Sequence, residues 1–194
     1  MRLRPKIVLV PVLMAASCTP VPVGADTGPS AVGQYQQQPS WCVPASAATA
    51  LNHMGAHTDQ AVLAAAMGTT PADGTSDPDR VAQAMDRYSV PLGFGYQVDP
   101  DGSDPTTLAD DLNYDLNGLR QDPVILAWFS DLPWNRGSAS TAGHALVVTA
   151  FDPASGQVVL WDPWQPTGGT HVIALAALAQ DLQTASPILR VSRV

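Results

Sequence analysis

The stretch Gln36-Gln37-Gln38-Pro39-Ser40-Trp41-Cys42-Val43-Pro44-Ala45-Ser46 places a cysteine two residues before a proline, at the start of an alanine-rich segment. Proline fits the first turn of a helix, where no intrahelical hydrogen bond is lost, but not the helix interior. We therefore predict a helix over Cys42–Met54, with Cys42 at or near its N-terminus. Small side chains along one face of this helix would let it pack closely against a sheet.

Helix signals continue through the front half of the chain. A capping residue followed by proline or by helix-forming residues marks a start, and a glycine or an Asn-Gly pair marks an end. Three more helices are predicted in this way. They are Thr58–Met67, capped by Thr58 or Asp59 and ended near Gly68; Asp77-Pro78 to about Tyr88; and Asp104-Pro105 to about Leu116, closed by Asn117-Gly118.

The back half of the chain has the pattern of strands. Val124–Phe129 is a nearly continuous apolar run, which is typical of a buried central strand. The turn at 152–156 joins the next two apolar runs as a hairpin. Helices followed by an antiparallel sheet predict the α+β class. The other predicted elements are strands at His144–Phe151, Val158–Trp161, His171–Leu175 and Ile188–Val191, and a short helix at Ala176–Gln183.

The N-terminal segment has the features of an export signal. Three basic residues precede the apolar run Ile7–Ala16, which is too short to span a bilayer comfortably. The following residues resemble a bacterial lipoprotein box, which predicts a signal peptide over residues 1–17 and a lipid on Cys18. Cleavage after Ala25, giving a secreted chain without lipid, is the alternative. Residues 18–33 are rich in Pro, Gly, Ser and Thr and predict a flexible tether.

Residues 34–194 are of ordinary size for one domain with its own core, and we expect a monomer. All seventeen acidic residues are aspartates, and removal of the three cations of the signal takes the formal net charge from −8 to −11. This charge disfavours binding to nucleic acid or to anionic lipid, so membrane attachment is expected only through an acyl chain. The absence of glutamate excludes zinc and glycosidase sites that are built on glutamate.

Cys42 is the only cysteine of the chain besides Cys18. An unpaired thiol is unusual in an exported domain, where cysteines normally form disulfides. A helix N-terminus carries partial positive charge that lowers a thiol pKa, and a nearby imidazolium lowers it further. These features favour a nucleophile, although a small cysteine buried in the core is the simpler alternative.

His144 is the best candidate for the base that such a nucleophile needs. It begins a strand after the loop Asp131–Gly143, where a side chain can reach a cleft. No two histidines have the spacing of metal ligands on one helix face, so neither a metal nor another cofactor is expected. The other histidines are in worse positions: His53 lies about three turns from Cys42 on the same helix, His57 lies in a loop, and His171 begins a strand.

Asp162 ends the strand next to that of His144, so it could accept the ring N–H and fix the orientation of the imidazole. Asp152 also precedes a proline, but its place in a tight turn already explains it. Gln36 lies six residues before Cys42. Its amide N–H and the backbone N–H of Cys42 would together form an oxyanion hole, although a run of three glutamines can also be polar filler.

These motifs resemble those of papain-like cysteine peptidases, and the branch they resemble most contains the double-glycine leader peptidases of bacteriocin exporters and their free-standing relatives. The resemblance rests on three stretches and covers about residues 34–192. It implies a papain-like fold in which the N-terminal helices, with the nucleophile at a helix N-terminus, pack on a C-terminal antiparallel sheet. The stretches are Gln36 to Ser46, Gly143 to Val148 and Leu160 to Trp164.

The resemblance also assigns roles: Cys42 as nucleophile, His144 as base, Asp162 as the residue that orients His144, and Gln36 in the oxyanion hole. Leader peptidases of this branch usually carry Asp-Cys-Gly at the nucleophile and are fused to a transporter. This chain has Trp-Cys-Val and no transporter segment. Cleavage of double-glycine leaders is therefore not carried over.

The resulting expectation is an exported cysteine peptidase that acts on a peptide or protein substrate without a cofactor. Two alternatives stay open, namely acyl transfer or isopeptide chemistry at the same site, and a catalytically retired binding module on the same fold. The Asp-rich loops at 73–77 and 99–104 have neither the spacing nor the closing glutamate of a calcium loop. They are expected to be turns and helix caps.

Overall fold

The structure is a computed structural model that describes residues 33–99, 104–140, 142–182 and 188–194. The predicted signal peptide, the predicted lipidation site at Cys18 and the predicted tether up to residue 32 lie outside the described residues. The elements are α1 (Cys42–Met54), α2 (Gln60–Met67), α3 (Pro78–Ser89), β1 (Phe94–Asp99), α4 (Pro105–Leu112), β2 (Val124–Trp128), β3 (Gly143–Asp152), β4 (Gln157–Asp162), β5 (Gly169–Ala174), α5 (Leu175–Leu182) and β6 (Ile188–Arg193).

The strands form one antiparallel sheet in the order β1-β6-β2-β3-β4-β5. Strand β2 lies between β6 and β3, as its apolar run predicts. Its side chains alternate between two cores, because Val124 packs with α1, α2 and α3 while Ile125 packs with α4 and α5. Helices therefore cover both faces of the sheet, and the predicted α+β class is confirmed.

Helix α1 positions the candidate nucleophile. It begins at Cys42, as predicted, and Pro44 falls in its first turn. Gly55 ends it in the left-handed conformation (φ 94°), and the Gly55 N–H bonds to the carbonyl of Asn52 (3.0 Å). Every side chain in the range 43–51 is buried, since α1 packs against β3, α2 and α3. This packing fixes the position of Cys42 relative to the start of β3.

Strand β1 is absent from the sequence-based prediction. Its residues include Gly95, and its apolar alternation is weak. The strand forms because β6 pairs with it in antiparallel register, which places Tyr96 opposite Val191. Tyr96 and Val191 are both buried in the core shared with α1 to α3. Tertiary pairing therefore creates a strand that local sequence does not specify.

The predicted end of the fourth helix at Asn117-Gly118 is wrong. Helix α4 continues at Leu112 into a π-helical segment, Asn113–Leu119, which ends at Arg120 with φ 58°. The side-chain amide of Asn117 donates to Phe151 O on β3 (3.3 Å), so it serves a tertiary contact rather than a helix end. Among the described residues, no helix is long and apolar enough to cross a membrane.

Candidate active site

Cys42 lies at the first position of α1, half-buried and not in a disulfide. Its side chain is hydrogen-bonded to that of His144, the second residue of β3. His144 is only 4% exposed. The close packing of α1 on β3 thus brings together two predicted site residues that are about a hundred positions apart in the sequence.

Asp162 continues this chain of contacts. It ends β4, which pairs with β3 in a hairpin, and it is fully buried. The Nε2–H of His144 donates to Asp162 Oδ1 at 2.7 Å. Since Nε2 is engaged by the carboxylate, Nδ1 is the ring nitrogen left for the thiol of Cys42. The candidate nucleophile, imidazole and carboxylate therefore form one continuous hydrogen-bonded series.

The carboxylate of Asp162 has two further donors. The backbone N–H of Trp164 donates to Oδ1 (2.8 Å), and the indole Nε1–H of Trp134 donates to Oδ2 (2.7 Å). Burial raises the pKa of Asp162, but the bond and charge of His144 and the other two donors outweigh it, so the net pKa is lowered. The buried carboxylate therefore stays ionised.

Trp134 was not among the sequence candidates. Sequence proximity points to Trp161 and Trp164, the neighbours of Asp162, as the residues that would shield it. In the structure, the indole N–H of Trp161 donates to Gln34 O (3.3 Å), and Trp164 contributes its backbone. The indole donor comes instead from the loop between β2 and β3, for which the local sequence gives no signal.

The electrostatic environment favours an ion pair between Cys42 and His144. Burial raises the pKa of the thiol, but the hydrogen bond and charge of His144 and the backbone N–H groups of Ala145 and Val43 outweigh it, so the pKa is lowered. Burial likewise disfavours the imidazolium, but Asp162 and Cys42 raise the pKa of His144 to about 9. The imidazolium of His144 therefore persists up to about pH 9, and the thiol of Cys42 ionises below its usual range.

Gln36 lies on the wall of the same cleft, beside Cys42. Its Nε2 donates to the carbonyls of Gln38 (2.9 Å) and Pro39 (2.8 Å), which occupies both amide hydrogens. Its Oε1 is buried and makes no hydrogen bond to the described residues. The amide therefore does not point a donor into the cleft in this conformation, and its part in an oxyanion hole stays a prediction.

The cleft above Cys42 and His144 has a volume of about 1020 Å³. The loop between α2 and α3, Pro71 to Thr75, forms one wall, and the loop that carries Trp134 forms the other. Phe129 sits edge-on to the His144 ring, with centroids 5.3 Å apart and an angle of 86°. The lining is rich in aromatic side chains, namely Trp128, Phe129, Trp134 and Trp164. The arrangement can hold an extended peptide across an activated thiolate.

A model of the Peptidase_C39 like family matches residues 30–184, which is most of the chain. The chain belongs to this family. It is accordingly a cysteine-type peptidase, as the sequence motifs imply. No protein with a curated description matches the chain.

Three solved structures share the fold of this C39-like peptidase, each at 16% sequence identity. A double glycine motif protease from an AMS/PCAT transporter, crystallised with the leader peptide, has a TM-score of 0.52 and is covered over 89% of its length by 82% of this chain. The peptidase domain of Streptococcus ComA, a bi-functional ABC transporter, has a TM-score of 0.53, and the match covers 96% of that domain and 84% of this chain. A protein described as a C39-like peptidase from Bacillus anthracis has a TM-score of 0.56, and the match covers 94% of that protein and 84% of this chain. At this identity the likeness establishes the papain-like fold.

The remaining histidines of the C39-like peptidase lie away from the thiol. His53 pairs with Asp122 near the end of α1, and His57 bonds to Asn52 Oδ1 (3.2 Å). His171, on β5, stacks on Trp134. Among the described residues, no group of three or more His, Cys, Asp or Glu side chains is arranged to hold a metal ion.

The Asp-rich loops contain helix caps. Asp104 Oδ1 accepts from the backbone N–H groups of Thr106 and Thr107, both at 3.0 Å, and Asp77 Oδ1 accepts from that of Arg80 at 3.1 Å. Residues 100–103 of the second loop lie outside the described ranges. Capping therefore accounts for Asp77 and Asp104, the aspartates that directly precede α3 and α4.

Proposed function

We propose that this peptidase hydrolyses peptide or amide bonds with Cys42 as nucleophile, His144 as acid and base, and Asp162 as the residue that orients His144. The observation that supports the proposal most is the unbroken hydrogen-bonded series from Cys42 through His144 to the buried Asp162. It supplies a nucleophile, a proton carrier and an orienting anion in the order that acyl transfer needs.

In the first half of the reaction, the Cys42 thiolate attacks the carbonyl carbon and forms a tetrahedral oxyanion. His144 then donates its Nδ1 proton to the leaving amine as the C–N bond breaks, which gives a thioester and a free amine. In the second half, neutral His144 takes a proton from water while the water oxygen attacks the thioester. The acid product leaves, and the thiolate and imidazolium are restored.

The oxyanion needs donors, and we assign two. The N–H of Cys42 is at the start of α1, where backbone N–H groups have no intrahelical acceptor. The amide of Gln36 is the second donor after its side chain rotates away from the carbonyls of Gln38 and Pro39. Gln36→Ala should lower kcat on the order of a hundredfold with a smaller change in KM. Gln37→Ala is the matched control, and equal effects of the two changes would remove Gln36 from the mechanism.

We further propose that the substrate is a peptide segment in extended conformation, with an apolar side chain against the aromatic lining of the cleft. The fold neighbour from an AMS/PCAT transporter was crystallised with a leader peptide, which supports a peptide as the ligand. Aromatic side chains bury large apolar areas, so the lining would select apolar residues near the scissile bond.

A peptide library tests hydrolysis and substrate choice together. The wild type is expected to release pairs of fragments whose masses add up to that of the intact peptide plus one water, and Cys42→Ala is expected to release none. Products joined to an added amine would indicate acyl transfer instead. A wild type that is thiol-reactive but cleaves no peptide would contradict hydrolysis.

We also propose that the protein is exported and that Cys18 carries a lipid. The basic residues, the short apolar run and the small residues before Cys18 support this proposal. Mass spectrometry of the mature N-terminus decides it. Lipidated Cys18 is the expected N-terminus, a chain that begins at Asp26 would mean plain secretion, and retained Met1 would overturn export.

A further inference from the structure

The second carboxylate oxygen of Asp162 depends on a residue from a distant loop. Oδ1 accepts from His144 Nε2 and from the backbone of Trp164, whereas Oδ2 accepts from the indole of Trp134 at 2.7 Å. Asp162 is 0% exposed, so water does not reach an oxygen that loses its donor. A buried carboxylate oxygen without a donor is unfavourable, and it favours protonation of the group.

The indole that makes this contact is itself held flat against another ring. Trp134 stacks on His171 with centroids 3.8 Å apart and ring planes at 2°. His171 Nε2 donates to Thr167 O (3.0 Å), which fixes the plane of the imidazole. His171 lies on β5 opposite Leu160 of β4, two residues before Asp162. The platform under Trp134 is therefore built on the strand next to the one that carries the carboxylate.

A second hydrogen bond connects the loop that carries Trp134 to the segment between β4 and β5. The hydroxyl of Thr167 donates to Asn135 Oδ1 at 2.6 Å. Thr167 thus bonds through its side chain to the residue after Trp134 and through its carbonyl to His171. Trp134 and Asn135 also line the cleft. The cleft wall and the carboxylate are consequently parts of one hydrogen-bonded and stacked unit.

We propose that Trp134 is a positioning residue for the active site, holding Asp162 through its indole N–H, and that His171 is the stacking platform that keeps this donor in place. The inference rests on the proposed roles of Cys42, His144 and Asp162. Trp134 acts through Asp162: the hydrogen bond from its indole N–H prevents rotation of the carboxylate and keeps it ionised. An ionised, fixed carboxylate in turn stabilises the imidazolium that accompanies the thiolate.

The inference predicts a change in the ion pair that simple packing would not produce. Without the indole N–H, the pKa of Asp162 rises and its support for the His144 imidazolium weakens. The thiol of Cys42 then ionises at higher pH, and His144 loses its proton at lower pH than about 9. The pH range over which thiolate and imidazolium coexist therefore narrows from both sides.

The test is the pH profile of alkylation of Cys42 by iodoacetamide, which needs no knowledge of the substrate. Trp134→Phe keeps an aromatic ring on His171 but removes the donor. Trp161→Phe is the matched control, because its indole N–H serves Gln34 O instead. We expect the acidic limb of the Trp134→Phe profile, which reports ionisation of the thiol, to move to higher pH by on the order of one unit. The profile of Trp161→Phe should superimpose on that of the wild type.

His171 provides a second pair of variants in case Trp134→Phe does not fold. His171→Ala removes the platform and should move the acidic limb of the profile to higher pH, whereas His171→Phe restores a stacking ring and should return this limb toward the wild type. An unchanged acidic limb in folded Trp134→Phe or in His171→Ala would overturn the inference. If the wild type itself behaves as an ordinary thiol and His144→Ala changes nothing, the proposed triad fails as well, which separates the two failures.

Discussion

The hairpin of β3 and β4 has an aspartate at each end, and both aspartates are followed by proline. Asp152, at the turn, is exposed, and it accepts from Ala154 N (2.9 Å) and Ser155 Oγ (2.6 Å). Asp162, at the open end, is fully buried and is bound by His144, Trp134 and the backbone of Trp164. The same dipeptide thus serves as a turn at one end and as an anion for an imidazole at the other.

The comparison teaches that local chemistry sets what an Asp-Pro pair can do, and that its surroundings decide what it does. Both carboxyl groups have a lowered pKa, but for different reasons. The side chain of Ser155 is the main cause at Asp152, whereas at Asp162 the bond and charge of His144 overcome the effect of burial. Only Asp162 has a partner whose proton can take part in chemistry.

The largest effect is expected for His144→Ala, because this change removes the imidazole that only Asp162 has as a partner. We expect kcat/KM to fall on the order of a thousandfold or more, since both the imidazolium and the proton carrier are lost. Alkylation of Cys42 near neutral pH should slow as well, because the thiol pKa returns toward its usual value. Rates of peptide cleavage and of alkylation by iodoacetamide check this prediction. Unaltered rates would mean that His144 is a structural residue.

Asp162→Ala tests the buried aspartate itself. In a Cys–His pair the third residue orients more than it activates, so we expect kcat/KM to fall on the order of tenfold to a thousandfold with the fold retained. Circular dichroism checks the fold, and any cleaved peptide serves for the assay. If Asp152→Ala lost activity while Asp162→Ala kept the kcat/KM of the wild type, the assignment of the two aspartates would be reversed.

The pH dependence of kcat/KM also distinguishes Asp162 from Asp152. His144 has a pKa of about 9, so loss of its proton above that pH removes the acid that the leaving amine needs. We expect kcat/KM of the wild type to fall by about tenfold per pH unit on this limb. Asp162→Asn should move the limb to lower pH, because the imidazolium loses its anion. Asp152→Asn is the control, and a limb that moves equally in both variants would contradict the role of Asp162.

Asp115 is a third aspartate to compare, and like Asp162 it is buried. Burial raises its pKa to about 6, although the charge and hydrogen bond of Arg190 and the N–H of Val191 act in the opposite direction. Because the folded state binds this proton more tightly than the unfolded state, the stabilisation is complete below about pH 4 and is lost as the pH rises through 6. Asp115→Asn should remove roughly 1 to 3 kcal/mol of this dependence.

Urea unfolding at pH 5 and pH 7.5 measures the effect of Asp115→Asn. The wild type should lose stability between the two pH values by more than the variant does. Asp110→Asn, on an exposed neighbouring position, is the control. A variant that keeps the full pH dependence of the wild type would show that Asp115 is not its source.

The smallest effect is expected for Asp152→Ala. Loss of the bonds to Ala154 N and Ser155 Oγ loosens the turn, so the Tm should decrease slightly while kcat/KM stays near that of the wild type. Thermal unfolding and the same peptide assay check both parts. A large loss of rate with an unchanged Tm would give Asp152 a role beyond the turn.

Several elements could be predicted from the sequence because their signals are local. Pro44 after Cys42 fixes the start of α1, the Asp-Pro pairs at 77–78 and 104–105 fix the starts of α3 and α4, and the apolar run fixes β2. Strand β1 could not be predicted because it depends on pairing with β6. The π-helical continuation of α4 could not be predicted because it runs through an Asn-Gly pair that normally ends a helix. The likeness of motif spacing to a known family supplied the order of Cys42, His144 and Asp162.

The sequence by itself determined a cysteine at a helix N-terminus, a histidine at the start of a strand and an aspartate at the end of the next, since each depends on neighbours a few residues away. Tertiary structure alone decided that Trp134 and His171 support Asp162, and that the amide of Gln36 bonds within its own turn. Burial and the direction of a hydrogen bond depend on what the rest of the chain places around a residue, and one stretch of sequence does not contain that information.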